Sequence, residues 1–346
     1  MIPYEKRKEA FVKLGLHLQD QFKNCDEASF LSLCYHAEAK NTWFTKDSII
    51  DSLKGIVYML KRSDIEQWLL AYPFLLEERN AKRIAVIMAG NIPMVAFHDI
   101  MTVLISGNRL LGKLSTKDDV LLPWVMDQLC LIEPLFSDYI TFEPNIMKDF
   151  DAVIATGSNN SSRYFDYYFK KYPSIVRKNR VSVAVLSGAE TSAQLDNLAS
   201  DIFRYFGLGC RNVSKLFVPE DFDMVKFISH FDNYVAVRNH NKYLNNYEYN
   251  KSIYLLNQDQ HYDNGFVLFR EEENLFSPIA VVYYEKYKEI RNLVGWFERN
   301  KHNIQCIVTS TDLLNIKTIE FGESQMPNIW DYADDVDTMS FLETLN

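Results

Sequence analysis

The residues with the clearest chemical potential lie in "YFGLGCRNVSKLF", residues 205–217. Cys210 stands there between a glycine pair and an arginine. Flanking glycines let the backbone approach a ligand closely. The neighbouring cation, Arg211, favours a thiolate over a thiol. An unperturbed thiol titrates near about 8.5 and is only slightly ionised at neutral pH. Holding its pKa about two below that value requires roughly 2.7 kcal/mol of preferential stabilisation of the anion. A thiolate so held is a nucleophile, suited to a hydrolase or to a reductase working through an acyl-sulfur intermediate. A Cys–His hydrolase also needs a base. None of the 7 histidines sits in a motif that supplies one, and His98, just after "GNIP", is the nearest to a candidate. Cys25, Cys34, Cys130 and Cys306 are scattered, form no CxxC pair and read as small buried hydrophobes.

A nucleophile needs elements to position it. Residues 1–80 read as helical: Phe11, Leu14, Leu18 and Phe22 recur at helical spacing, Thr45 starts a second periodic stretch, and Ser63 with Glu66 spells a capping box. From residue 83 short apolar runs alternate with helical stretches. "RIAVIM", "RLLGKL", "YITF" and "DAVIA" read as strands, with helices over 94–105, about 119–132 and about 161–170. That alternation implies a parallel sheet with helices on its faces. Ligands of such sheets bind at the carboxyl ends of the strands, where "AGNIP", "KLST" and "TGS" fall. The pattern repeats after 181: strand "VSVAVL", a helix capped by Thr191 and Gln194 and ended near Gly207, the Cys210 loop, then strand "KLFVP". "PIAVVYYE" reads as a further strand, and "NKYLNNYEYNKSIYLLN" is left among mixed elements.

Composition narrows the class. The chain has 346 residues, enough for two domains, with net charge -9, 47% hydrophobic and 24% charged residues. An acidic chain lacks the basic footprint of a nucleic-acid binder. An anionic cofactor remains compatible through backbone amides and a few lysines. No run approaches the roughly 20 apolar residues of a membrane span. The N-terminus lacks the apolar core of a signal peptide, so a cytoplasmic protein is expected. The 23 Phe and 20 Tyr serve packing or an apolar substrate channel.

Together these segments carry a resemblance. "RIAVIMAGNIPMVAFHDIMTVLISGNRLLGKLST" resembles the cofactor-binding stretch of the aldehyde dehydrogenase superfamily. "ATGSNNSS" is similar to its Thr-Gly-Ser turn, "GLGCRN" to its nucleophile loop and "LFSPIAVV" to its Phe-Gly-Pro-Val segment. The four occur in the right order over about 83–282. Within the superfamily, "NTWFTKDSI", "DIFRYFGLGCRNVSKLFVP" and "MPNIWDYADDVDTMSFL" look like the acyl-CoA reductases, among them the fatty acid reductase subunit of bacterial luminescence.

The resemblance implies an aldehyde-dehydrogenase-like α/β fold. Residues 1–180 would hold a helical N-terminal region and a parallel-sheet, Rossmann-type cofactor domain, 181–325 a second α/β catalytic domain, and 326–346 a tail. It implies that Cys210 takes the acyl group from a thioester such as a long-chain acyl-CoA, and that hydride from the nicotinamide then releases a fatty aldehyde. Asn91 would stabilise the oxyanion with the Cys210 backbone amide. Lys113 and Ser115 would bind the adenosine ribose, and Gly157 and Ser158 would lie under the pyrophosphate. Thr116 replaces a glutamate of the NAD-preferring relatives and tolerates a ribose phosphate, so NADPH is expected over NADH. A homo-oligomer and an acyl-activating partner enzyme are implied by analogy; no metal is. There are departures. The hydrolytic enzymes' Glu-Leu-Gly-Gly motif is absent, and the same spacing back from Cys210 falls on Val176. Asn274 replaces a ribose-binding glutamate, with Glu273 one step earlier, and Ile100 replaces a cofactor-site lysine. Two alternatives stay open: a thioesterase or acyltransferase using Cys210, and a non-catalytic assembly subunit with the same fold.

Overall fold

The computed structural model describes residues 2–157, 159–313 and 316–345. The chain divides into two compact units, residues 1–179 with 327–346, and residues 180–326. In the first, four helices precede the sheet: α1 (Tyr4–Lys23), α2 (Ala28–Lys40), α3 (Lys46–Met59) and α4 (Arg62–Leu70). Phe11, Leu14 and Leu18 put the apolar stripe of α1 into the core. Thr45 caps α3, its Oγ1 accepting from the Ser48 amide at 3.2 Å. The expected Ser63–Glu66 capping box does not form. α4 starts two residues earlier, with Lys61 at its N-cap, Ser63 Oγ donates to Asp64, and Glu66 pairs with Arg62 at 3.5 Å. The Arg62 charge takes the carboxylate that the box would have used.

The sheet follows as β1 (Arg83–Ile87), α5 (Phe97–Ile105), β2 (Arg109–Lys113), α6 (Leu121–Ile132), β3 (Ile140–Phe142), β4 (Ala152–Thr156), α7 (Asn159–Tyr168) and β5 (Ser174–Arg177). Its order is β3-β2-β1-β4-β5, and every pairing is parallel. Strand alternation feeds both faces. Ile84 and Val86 join the large helical core, while Ala85, Val153 and Ala155 pack against Phe150, Phe165 and Phe169. The chain runs outward from β1 through β2 to β3, then returns to β4 on the other side of β1. That reversal puts the topological switch point at the carboxyl ends of β1 and β4, the place where doubly wound sheets bind ligands.

The second unit is built from β6 (Val181–Val185), α8 (Ser192–Phe203), β7 (Val213–Pro219), α9 (Met224–Ile228), α10 (Asn241–Asn257), β8 (Tyr262–Asp263), β9 (Leu268–Glu271), β10 (Val281–Tyr287), α11 (Arg291–Asn300) and β11 (Ile304–Val308). Its sheet order is β11-β6-β7-β10-β9-β8, parallel except for the β8–β9 pair. Alternation again divides the core: Ala184, Leu216 and Val218 face one cluster, and Val183, Val185 and Phe217 the other. α10 is the "NKYLNNYEYNKSIYLLN" segment, and it buries Tyr243, Tyr247, Asn250 and Tyr254 along one stripe. The chain then ends in the first unit with α12 (Thr338–Glu343), whose Met339 and Leu342, with Ile329 and Tyr332, belong to the helical core. Among the described residues no helix is long and apolar enough to cross a membrane.

Candidate active site

In the second unit, Cys210 lies half-buried in the loop between α8 and β7. The Thr191–Gln194 capping box starts α8 as expected. The helix stops at Phe203, before Gly207, and the chain turns through three successive left-handed residues: Tyr205 (φ 53), Phe206 (φ 58) and Gly207 (φ 77). Only the last is a glycine, so two aromatic residues hold a backbone conformation that L side chains disfavour. Asn212, absent from the sequence reading, fastens this loop. Its Nδ2 shares its hydrogens among the carbonyls of Asp201 (3.0 Å), Ile202 (3.3 Å) and Arg204 (2.8 Å), closing the end of α8. Its Oδ1 accepts from the Gly209 amide at 2.8 Å. Ser182 on β6 donates its hydroxyl to the Cys210 carbonyl at 3.0 Å. The backbone on both sides of the sulfur is therefore anchored.

Arg211, expected to favour a Cys210 thiolate, directs Nη1 to Sγ of Cys306 at 3.1 Å. Cys306 is buried in β11, where the pairing with β6 shifts register between Ile304 and Ile307. A bulge re-aims side chains in this way. The sequence reading treated Cys306 as packing only, because nothing in its neighbourhood signals an arginine from residue 211. Lys215, in "KLFVP", was passed over as a strand residue. It is fully buried, and its Nζ donates to the carbonyls of Glu272 (3.0 Å) and Glu273 (2.8 Å) and to Glu285 Oε2 (2.6 Å). Burial lowers its pKa, and Glu285 opposes that. Lys215 thereby pins the loop ahead of Phe276-Ser277-Pro278, in which Asn274 donates its side-chain amide to Glu272 at 3.2 Å.

In the first unit, Asn91, Lys113, Ser115, Thr116 and Gly157 all fall at or just beyond the carboxyl ends of β1, β2 and β4. Ser158 lies outside the described residues. Asn91 is exposed, on a turn held from several sides. Asn41 Nδ2 donates to the Gly90 carbonyl at 3.4 Å and Ser52 Oγ to the Pro93 carbonyl at 2.7 Å. A Cβ on Gly90 would fall 2.6 Å from Ser115 Oγ, so only glycine lets these loops pass. Asp118, which sequence reasoning did not single out, accepts from the Met94 amide at 2.7 Å and holds that residue at φ 56. Burial pushes its carboxyl up to about 7, against the lowering effect of the Met94 and Leu121 amides.

Lys113 Nζ donates to the carbonyls of Pro144 and Asn145. An ammonium has three hydrogens, so one remains for a ligand. With Ile87, Asn145, Ile146, Phe165 and Tyr168 it lines a groove of about 910 Å³. Ser115 Oγ accepts from the Lys117 amide at 3.2 Å, and Thr116 and Lys117 are exposed beside it. Gly157 precedes α7 and has no room for a Cβ, which would meet Phe165 at 2.8 Å. The residues fit a dinucleotide: an open groove with apolar walls, a lysine with a spare donor, and a glycine turn opening a helix. His98 is a packing residue, its Nε2 on the Ile329 carbonyl at 2.7 Å and its ring against Trp68 and Tyr332. Val176 is an ordinary residue of β5, and Ile100 is fully buried in α5. Among the described residues no group of His, Cys, Asp and Glu is placed to hold a metal.

This fold is that of the aldehyde dehydrogenases. The chain is similar in structure to aldehyde dehydrogenase 21 from Physcomitrella patens in complex with succinate (TM-score 0.63, 13% identity, covering 90% of this chain and 74% of that one). It is also similar to an NAD+ complex of an aldehyde dehydrogenase from Bacillus cereus (0.60, 12%, 90% and 72%). It matches proline utilization A as well (0.65, 13%, 89% of this chain), spanning 36% of that longer protein. No curated protein matches in sequence. The acyl-CoA reductase (LuxC) family model matches residues 33–308, and the chain belongs to that family. It is thus an oxidoreductase of the aldehyde-forming, acyl-reducing kind.

Proposed function

We propose that the protein reduces a fatty acyl thioester, an acyl-CoA in the first instance, to the aldehyde with NADPH, through an acyl group carried on Cys210. The observation that carries this reading is the anchored, half-buried Cys210 loop in a chain of the acyl-CoA reductase family. The Cys210 thiolate attacks the thioester carbonyl carbon. The carbon–sulfur bond to CoA breaks, and CoA leaves as a thiolate that takes a proton from water. A reduced nicotinamide, when bound, supplies a hydride to the acyl carbon. The bond to Cys210 Sγ then breaks, the aldehyde leaves, and the thiolate is restored. The family resemblance would make Asn91 the amide donor to the developing oxyanion. When a cofactor is bound, Lys113 and Ser115 would hold its ribose, and Gly157 and Ser158 its pyrophosphate. Thr116 and Lys117 are exposed and would accept a ribose phosphate, which supports NADPH over NADH in this reading. The absence of a Glu-Leu-Gly-Gly base suits this chemistry, since water would otherwise discharge the acyl group.

The test is intact-protein mass after mixing with acyl-CoAs of several lengths, without cofactor, beside Cys210→Ala. An adduct on the parent alone, discharged to free aldehyde faster by NADPH than by NADH, is the expected result. Release of CoA and free acid without cofactor would instead make it a thioesterase. No adduct with any thioester would leave a binding or assembly subunit.

A further inference from the structure

The groove of about 910 Å³ in the first unit has two charged residues in its lining, Lys113 and Lys148, and no carboxylate among the described residues. Lys113 directs two of its three hydrogens to the carbonyls of Pro144 and Asn145. Those bonds fasten the loop that follows β3. The Glu143 amide donates to the Gly112 carbonyl at 2.9 Å, the Asn145 amide to Glu143 Oε1 at 2.8 Å, and Arg83 Nη1 to the Asp149 carbonyl at 3.5 Å. The loop is therefore held at both ends, and it carries Lys148 to the groove. Lys148 is exposed, and its ammonium has neither a hydrogen bond nor an ion pair among the described residues. Neither Glu143 nor Asp149 lines the groove beside it. Ile146 and Tyr168 do, and they are 81% and 67% exposed. Apolar and aromatic surface of this kind suits the face of a planar base. Lys117 is elsewhere: its Cβ lies 3.1 Å from where a Cβ on Gly90 would fall, and it is absent from the groove lining. The chain as a whole carries a net charge of -9, so an extra phosphate on a ligand needs a local cation to offset the field of the protein.

Resting on the reading of this groove as the cofactor site, we propose that Lys148 is the residue that selects a nicotinamide cofactor bearing a phosphate on its adenosine ribose. Its ammonium pairs with that phosphate, and Ile146 and Tyr168 supply the walls for the adenine. Lys113 positions the loop from which Lys148 reaches. The phosphate contact is a point-charge contact, so arginine serves in place of lysine and a neutral side chain does not.

The experiment is calorimetric titration, without acyl substrate, of NADPH, NADH, AMP, adenosine 2′,5′-bisphosphate and adenosine 3′,5′-bisphosphate into the parent, Lys148→Gln, Lys148→Arg and Lys117→Gln. The parent should bind NADPH about tenfold more tightly than NADH, and the 2′,5′-bisphosphate about tenfold more tightly than AMP. Lys148→Gln should bring each pair within about twofold while leaving NADH and AMP unchanged, and Lys148→Arg should keep the preference. Added salt should shrink the preference in the parent and change little in Lys148→Gln. Both Lys148 variants should unfold at the temperature of the parent, since the side chain is exposed. A preference that survives Lys148→Gln would overturn the proposal. So would a preference lost only in Lys117→Gln, which would move the phosphate to the loop after β2. Equal weakening of AMP and the 2′,5′-bisphosphate would overturn it as well, by placing Lys148 on the phosphate they share. Equal affinity of the parent for the two bisphosphates would make the contact a general one for anions and end its role in selection. A parent that binds neither NADPH nor NADH would sink the cofactor reading of the groove itself, a result distinct from binding without preference.

Discussion

Asn212 shows how much one side chain decides at the nucleophile. It is 2% exposed and answers four backbone groups, three carbonyls at the end of α8 and the amide of Gly209. Asn212→Ala would leave these groups buried without partners, at a cost of about 1–3 kcal/mol. The expected outcome is a lower midpoint in thermal unfolding together with a changed rate of Cys210 alkylation by iodoacetamide. A stability loss with unchanged alkylation would limit Asn212 to helix capping. Sequence alone placed Cys210 in a loop after a helix, because glycine and strand signals bound it. It could not place Asn212, since an asparagine two residues on is as common in a solvated turn. Arg211 illustrates the same limit: adjacency in sequence suggested Cys210, while the fold presents Cys306.

At the scale of elements, Asp118 joins the loop after β2 to the turn after β1. Its carboxyl is pushed up to about 7 by burial, well above the usual carboxylate range. The protonated form is therefore favoured by folding. The stability this group contributes is complete below about pH 4 and is lost as pH rises toward 7. Asp118→Asn keeps an acceptor for the Met94 amide and removes the titration. The variant should show a flatter stability profile between about pH 4 and pH 8, the difference being on the order of 4 kcal/mol at the alkaline end. Urea unfolding across that range checks it, and parallel profiles would refute the shift. Strands were the most legible elements, since β1, β2, β4 and β6 are short, mainly apolar runs between turns. α10 was not recognised because its buried stripe is Tyr243, Tyr247, Asn250 and Tyr254 rather than aliphatic. Its helical spacing was present in the sequence without the hydrophobic contrast that announces it.

At the scale of the whole molecule, Arg177 ties distant parts of the first unit together. The guanidinium pairs with Asp99 on α5 and donates to Thr338 Oγ1 on α12 at 2.9 Å, with both charged side chains buried. Arg177→Met would strand the Asp99 carboxylate and should destabilise by about 3–5 kcal/mol. Adding Asp99→Leu should recover much of that loss, because a well-packed apolar pair avoids the desolvation of both charges. Denaturant titrations of the single and double variants read this directly; equal loss in both would show that the charges matter only through shape. Nothing near Arg177 in the sequence announces Asp99, 78 positions earlier, or Thr338, 161 positions later.

The sequence by itself determined the alternation of strands and helices, the turns at the strand ends, and the order of four motifs around Cys210. These are local: periodicity, turn chemistry and motif spacing act over a few residues. Only the tertiary structure decided that Asn212 and Ser182 brace the nucleophile loop, that Asp118 holds the turn of Asn91, that Lys215 pins the 272–276 loop, and that Lys113 fastens the loop bearing Lys148 at the groove. Such contacts join residues far apart in the chain, and their strength depends on burial, which no local pattern specifies.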